Sequence, residues 1–131
     1  MKLAVNVRYA IRIIMKLHYA AGRMTMRELA ERTGLSLRAV ENIHSVLRRN
    51  GITRGTIGAG GGIVLLVPLP QLSLGRIITI FDDEVDCFVC FGDKANDCPN
   101  IRMCPRHARW IKISGQIQQA LDEIYLDSIL G

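Results

Sequence analysis

The sequence predicts a mainly α-helical fold that contains a single β-hairpin. Apolar residues recur at helical spacing near both ends of the chain, over residues 5–21 and 106–126. Between them, two β-prone runs flank a glycine-rich segment, residues 58–62, and this pattern is typical of a hairpin. Of the 131 residues, 49% are hydrophobic and 5% are aromatic, so we expect an aliphatic core in one domain, or in a small domain with an appendage.

The first helix is predicted over residues 5–21. Arg8, Arg12 and Lys16 form a polar stripe at i, i+4 spacing, opposite an apolar face. This stripe is either a solvated face or a set of phosphate contacts. Because its charges interrupt the apolar N-terminus, we expect neither a signal peptide nor a membrane span, and we expect a cytoplasmic protein.

Two more helices, joined by a tight turn, are predicted between residues 26 and 50. Thr25 and Glu28 form a capping box for the first of them. Gly34 permits the turn, Ser36 can cap the second helix, and Gly51 can end it. This arrangement is typical of a helix-turn-helix.

Small and aliphatic residues fall where helix-turn-helix packing requires them. With Met26 as the first position, Ala30 takes the fifth place, Gly34 the ninth and Val40 the fifteenth. The residues expected to point into a shared core are Leu29, Leu35, Val40, Ile43 and Leu47.

The charge of the chain is divided unequally along its length. Residues 1–57 carry eleven Lys/Arg and three Asp/Glu, a formal charge of +8, whereas residues 58–131 carry six and nine, a charge of −3. A basic N-terminal part indicates a polyanionic partner such as DNA, and the acidic remainder is suited to sensing or assembly.

The second helix of the motif would enter the major groove with its N-terminal half. Arginine can pair with guanine, asparagine with adenine, and glutamate can accept from cytosine, although Arg38 and Glu41 could instead form a solvated pair. The predicted base-contacting residues are Ser36, Arg38, Glu41, Asn42 and Ser45. Arg48 and Arg49, at the other end, are expected to contact phosphates. His44 is either a phosphate contact or a surface residue, and we favour the second.

The hairpin that follows, the predicted wing of the domain, is expected from strands at residues 52–57 and 63–67. Its glycines would let the backbone at Gly60 and Gly61 approach a phosphate or the minor groove. Arg54 is the basic residue nearest to these glycines in the sequence. A nucleotide-binding loop is disfavoured because neither a P-loop lysine nor a βαβ unit is present.

A short helix at residues 72–81, with Ser73 as its cap, completes the N-terminal part. Residues 1–81 are therefore predicted to form a winged helix-turn-helix DNA-binding domain.

Residues 82–105 lack periodicity and contain all four cysteines, in the pattern C-x2-C-x7-C-x5-C followed by x2-H. Such dense thiolates hold an iron–sulfur cluster or zinc, or form disulfides, and disulfides are disfavoured in a reducing cytosol. Zinc suits the first C-x2-C, but a second such pair is missing; a thiol redox switch would need only the first two cysteines. The cysteines are Cys87, Cys90, Cys98 and Cys104, and the histidine is His107.

A long helix is predicted from about residue 106 to 126, and residues 106–131 form the last segment. Its apolar stripe would serve a dimer interface or an intramolecular core. The stripe residues assigned to dimerisation are Ile113, Ile117, Leu121 and Ile124.

The chain resembles the winged-helix regulators typified by the iron–sulfur cluster regulator IscR, with NsrR, RirA and CymR as relatives. The stretches that carry the resemblance are Val7–Ala10, Leu29–Arg32, Arg48–Ile52, Gly60–Gly62 and the tail Tyr125–Leu130, together with the late cysteines. The resemblance implies a homodimer that packs through its long C-terminal helices and binds a roughly palindromic operator on double-stranded DNA.

The resemblance also implies that Cys90, Cys98 and Cys104 are cluster ligands, with Cys87 or His107 as the fourth; we favour Cys87. The cluster would be [4Fe-4S] or [2Fe-2S]. Two features depart from the family: Thr56-Ile57 stand where an arginine usually precedes the wing glycines, and Ile63 stands where an aromatic residue commonly follows them.

The sequence thus predicts a DNA-binding transcriptional regulator, not an enzyme. Its operator affinity would be controlled by an iron–sulfur cluster that senses iron, cluster supply, nitric oxide or redox state. The alternatives are a winged-helix repressor with a structural zinc and a cysteine-thiol redox switch without a cluster.

Overall fold

Three helices and a hairpin form the N-terminal part, in the predicted order. The computed structural model of the protein describes residues 3–20, 22–81 and 104–130. The N-terminal elements are α1 (Val5–Ala20), α2 (Met26–Thr33), α3 (Leu37–Arg49), β1 (Thr53–Thr56) and β2 (Gly62–Leu65).

Local capping defines the helix-turn-helix formed by α2 and α3. The backbone N–H of Glu28 donates to Thr25 Oγ1 over 3.1 Å, and that of Thr25 donates to Glu28 Oε2 over 2.9 Å, which completes the capping box. Gly34 turns the chain at φ 73°, and Ser36 Oγ accepts from Ala39 N over 3.1 Å at the start of α3. The predicted helix boundaries and caps are therefore confirmed.

The hairpin pairs Thr53 with Leu65 and Thr56 with Gly62 in antiparallel register. The segment before α2 pairs with the free edge of β2 through two backbone hydrogen bonds. Met24 N donates to Ile63 O over 3.1 Å, and Ile63 N donates to Met24 O over 2.7 Å. The approach to the helix-turn-helix is thereby attached to the wing, a connection that no sequence pattern indicated.

After the hairpin come a single 3₁₀ turn (Leu69–Gln71) and α4 (Leu74–Ile80), which Ser73 caps as predicted. The described C-terminal part contains α5 (His107–Asp122) and α6 (Leu126–Leu130). Of the predicted cysteine loop, residues 82–103 lie outside the described residues, and residues 104 and 105 lie within them.

The expected continuation of the long helix to residue 126 is wrong, because α5 ends at Asp122. The chain leaves the helix to pair with the backbone next to α4. Leu74 N donates to Ile124 O over 2.7 Å, and Leu126 N donates to Leu72 O over 2.9 Å. These bonds, and the complete burial of Leu126, outweigh the helical periodicity of this stretch.

One aliphatic core joins both ends of the chain. The predicted core residues of the helix-turn-helix are buried or partly buried in it, and Leu121 and Leu126 from the C-terminal part belong to the same cluster. The residues of α3 that face this core are Val40, Ile43, His44 and Leu47.

Within the described ranges, no helix has both the length and the apolar character that a membrane crossing needs.

Candidate nucleic-acid interface and cluster ligands

The face of α3 opposite the core is open to solvent. Arg38, Glu41 and Asn42 are exposed, Ser36 is the exposed cap, and Ser45 is half-buried. Guanidinium, carboxylate and amide groups on one rigid helix can contact base edges in a major groove. The five predicted base-contacting residues are thus brought together on one end and one side of α3.

An open groove of about 490 Å³ separates α3 from the wing. Glu41, Ser45 and Arg48 line its helix side, and Thr56 and Ile57 line its wing side. A groove with a guanidinium on one wall and a glycine-rich backbone on the other suits a sugar–phosphate strand.

The wing ends in a tight glycine turn. Gly58 and Gly60 have φ of 101° and 77°, and Gly61 N donates to Gly58 O over 2.9 Å. A Cβ at Gly61 would overlap Thr56 O, so the turn excludes side chains there. The adjacent Ile57 is fully exposed, and the turn itself carries no side chain larger than the methyl group of Ala59.

The expectation that His44 is a surface residue is wrong, because its side chain is only 5% exposed. Its Nδ1 lies 3.1 Å from Thr53 Oγ1, and a Cβ at Gly55 would lie 3.1 Å from its Nε2. Burial, together with the nearby Arg48 guanidinium, lowers the pKa of His44 below its usual 6.5. His44 therefore joins α3 to β1 beneath the groove rather than facing solvent.

Arg54 occupies the other face of the hairpin. Because Thr53 and Gly55 face His44 and side chains alternate along a strand, Arg54 is directed away from α3. It is exposed and does not line the groove. The structure therefore separates Arg54, a predicted DNA contact, from Arg48. Arg48 lines the groove together with the glycines of the wing.

Backbone carbonyls at the helix ends are held by arginines. Arg12 Nη1 donates to Thr33 O over 3.1 Å at the end of α2, so this member of the basic stripe has a structural contact. Arg76 Nη2, from α4, donates to Asn50 O over 3.1 Å at the end of α3. Arg49, expected to contact phosphate, is exposed, and its Nε donates to Ser45 O over 3.3 Å.

Of the predicted metal ligands, Cys104 and His107 lie within the described residues. Among the described residues the Cys104 thiol has no disulfide partner, and it is half-buried; His107 N donates to Cys104 O over 3.2 Å. One tight turn at the start of α5 therefore carries both a thiol and an imidazole. Cys87, Cys90 and Cys98 lie outside the described residues.

The predicted dimerisation residues differ in burial. Leu121 packs inside the chain and Ile117 is half-buried, whereas Ile113 and Ile124 are 38% and 37% exposed. Ile124 follows the end of α5 rather than lying on it. Within the part of the chain that the structure describes, Leu121 is the one buried residue of α5.

Helical spacing, applied strictly, would have identified His44. Positions 40, 43, 44 and 47 follow i, i+3, i+4, i+7, so the stripe of Val40, Ile43 and Leu47 includes it. Met26 and Thr25 also line the groove, and their positions depend on the attachment of this segment to β2, for which the sequence has no signal.

Comparison with known proteins agrees with this geometry. A family model, Rrf2, described as iron-dependent transcriptional regulators, matches residues 3–131. The chain is 31% identical over 133 residues to the HTH-type transcriptional regulator IscR of Pectobacterium carotovorum. The alignment covers 100% of this chain and 80% of that relative.

Solved structures share the fold over nearly the whole chain. IscR from T. potens has a TM-score of 0.69 at 25% identity and covers 99% of this chain and 86% of that one. The oxidized form of CymR from Staphylococcus aureus has a TM-score of 0.67 at 24% identity. The match covers 99% of this chain and 96% of that one, and it supports the fold alone. The chain therefore belongs to the Rrf2 family, and it is a winged-helix transcriptional regulator rather than an enzyme.

Proposed function

We propose that this regulator binds a roughly palindromic DNA operator as a cytoplasmic homodimer, and that an iron–sulfur cluster controls its affinity. The observation that carries the DNA proposal is the exposed outer face of α3 beside a groove and a bare glycine turn. Bases would be read by Arg38, Glu41 and Asn42 in the major groove, while Arg48 would hold a phosphate in the groove.

The homodimer is supported by the solvent exposure of α5. This helix has sixteen residues, of which only Leu121 is buried within the described chain, and Ile111 and Ile113 are exposed. Apolar side chains that an exposed helix leaves open to solvent suit packing against a second copy of the same helix. Two recognition helices related by a two-fold axis would then match two half-sites.

The donor set fits an iron–sulfur cluster. Thiolates are the usual ligands of such clusters, and the Cys104 thiol shares a turn with the alternative ligand His107. Cys90, Cys98 and Cys104 would hold three positions, and Cys87 or His107 the fourth. A bound cluster would supply chemistry that responds to iron supply or to oxidants.

Loop ligation is suited to control because Cys104 directly precedes α5. Ligation at this turn would bias the position of α5 and hence the spacing of the two recognition helices. Arg76 provides a second connection, since it joins α4, immediately before the cysteine segment, to the end of α3.

The DNA proposal is tested by selection of duplexes from a random pool with the full chain. We expect enrichment of an inverted repeat, and we expect Arg38→Gln to relax the choice of one base pair per half-site. Loss of one good bidentate contact corresponds to about 1–3 kcal/mol of discrimination. The control Arg109→Gln removes an exposed charge of α5 and should leave base preference unchanged. Failure to enrich any sequence would contradict the proposal.

The cluster proposal is tested by anaerobic purification followed by iron, sulfide and zinc analysis. We expect iron with acid-labile sulfide, a visible absorption band, and operator affinities that differ about 5- to 150-fold between the loaded and stripped protein. Cys98→Ala should abolish the band, and separate Cys87→Ala and His107→Ala variants should identify the fourth ligand. A colourless protein with one zinc per chain would support the structural-zinc alternative, and a metal-free protein would support the thiol switch.

A further inference from the structure

We propose that Arg23 is the minor-groove arginine of the wing, although it lies outside the hairpin in sequence. This inference rests on the proposed DNA binding and adds a contact residue that the recognition helix does not contain. Its starting point is the chemistry of the hairpin itself: between Thr53 and Leu65 the only basic residue is Arg54, which is directed away from α3.

The backbone fixes Arg23 at the edge of the wing. Its neighbour Met24 forms two hydrogen bonds with Ile63, of 3.1 and 2.7 Å, so the segment before α2 runs alongside β2. A Cβ at Gly62 would lie 3.4 Å from Arg23 Cβ, and this shows that the two backbones approach closely. Arg23 is therefore held to the hairpin as firmly as a residue of an added strand.

The guanidinium of Arg23 lies over the glycine turn. A Cβ at Gly60 would be 3.9 Å from both Nη1 and Nη2 of Arg23. Gly60 has φ 77°, and with no side chain it leaves the guanidinium beside the bare backbone of the turn. Arg23 is exposed, so its charge is presented to solvent beside Gly60 at the tip of the wing.

The groove between α3 and the wing determines which side of the DNA this tip would meet. When α3 occupies the major groove, the sugar–phosphate strand that bounds this groove fits between Arg48 and the wing. On the far side of that strand lies the minor groove. Arginine is favoured in a narrow minor groove of A·T-rich DNA because the negative potential is greatest there.

The test uses a duplex enriched by the wild-type full chain from a random pool. Two versions keep the half-site under α3 unchanged and carry either A·T pairs or G·C pairs at the steps expected under the wing. We expect wild type to prefer the A·T version. We expect Arg23→Gln to lose about tenfold in affinity for it and much less for the G·C version. Arg23→Lys should restore the affinity only partly, because an ammonium is more strongly hydrated and fits the narrow groove less well.

The matched control is Arg54→Gln, which removes an equal charge from the same hairpin. It should not remove the difference between the A·T and G·C duplexes. Thermal unfolding of each variant verifies that the fold is retained, as expected for an exposed side chain.

Two results would overturn the inference while the DNA proposal stands. One is an Arg23→Gln protein that binds both duplexes as wild type does. The other is an equal loss on both duplexes that Arg23→Lys fully restores, which would indicate a phosphate contact. If wild type enriches no sequence at all, the DNA proposal and this inference both fail, and that outcome is reached before any Arg23 variant is measured.

Discussion

His44 links the recognition helix α3 to β1 of the wing. It lies on the buried side of α3, bonds to Thr53 of β1, and borders the groove that we assign to the DNA backbone. Its pKa is lowered by burial first and by Arg48 second, so the folded protein favours the neutral imidazole. Protonation would bring a second positive charge beside Arg48 in a desolvated site.

The lowered pKa predicts a loss of stability in acid. Above pH 6.5, the usual pKa of histidine, His44 is neutral in both states and has no effect on the pH dependence. Below it, the unfolded chain takes up a proton first, so the free energy of unfolding falls until the pH reaches the folded pKa. We expect His44→Gln, which can still bond to Thr53, to remove this part of the decline in denaturant titrations at a series of pH values.

His18→Gln is the control, because it removes an exposed histidine from α1 and leaves His44 in place. It should retain the decline in acid. An identical pH dependence in wild type and His44→Gln would contradict the role assigned to His44.

At the scale of elements, the approach of α4 to the end of α5 holds the C-terminal part on the DNA-binding domain. Gly75 is buried in α4, and a Cβ there would overlap Asp122 Oδ1 and come within 2.8 Å of Asp122 N. The bonds from Leu74 and Leu126 hold the same junction from both sides. We therefore expect a displacement of α5 to move α4, which Arg76 joins to α3.

Gly75→Ala should destabilise the protein even though alanine favours a helix. The side chain of Asp122 can move away, but its backbone N and Cα cannot move without separating α4 from α5. We expect a loss of about 1–3 kcal/mol in the free energy of unfolding, as for other overpacked sites. Urea denaturation measures this change.

Gly115→Ala supplies the matched comparison on α5. A Cβ at Gly115 meets nothing within 4 Å in the described structure, so alanine should stabilise the helix by about 0.5–1 kcal/mol. If both substitutions stabilise the protein, α4 and α5 do not pack as closely as described.

At the scale of the whole molecule, α5 is unusual because so little of it is buried. Helices of small proteins usually gain stability by covering an apolar face, and among the described residues α5 packs on the core at its C-terminal half, through Ile117 and Leu121. The exposed Ile111 and Ile113 on its N-terminal half remain for a partner. We therefore expect a dimer in which the two recognition helices, one α3 from each copy, bind the same DNA duplex.

Ile113→Glu should shift the protein from dimer to monomer. A carboxylate on an apolar face would be desolvated by the partner helix, so we expect the dimer dissociation constant to rise at least about tenfold. Sedimentation of the full chain at a series of concentrations measures the change.

Ile57→Glu is the comparison, because Ile57 is equally apolar and fully exposed but lies at the wing tip. It should leave the sedimentation unchanged. A dimer that persists with Ile113→Glu would exclude this face of α5 as the interface.

Much of the fold follows from local patterns in the sequence. The caps at Thr25 and Ser36, the turn at Gly34 and the spacing of aliphatic residues act within a few neighbouring positions, so they specify α1 to α4 and the hairpin without knowledge of the rest. The outer face of α3 is determined in the same way, because a helix that buries Val40 and Leu47 must expose Arg38 and Asn42.

Other features were decided only by the tertiary structure, because they depend on contacts between segments distant in sequence. The end of α5 at Asp122 is set by backbone bonds from α6 and its approach to residues 72–74, which outweigh local helical preference. The guanidinium of Arg23 reaches the wing because Met24 pairs with Ile63. The sequence alone determined the reading helix, and the packing of separate segments determined which side chains surround it.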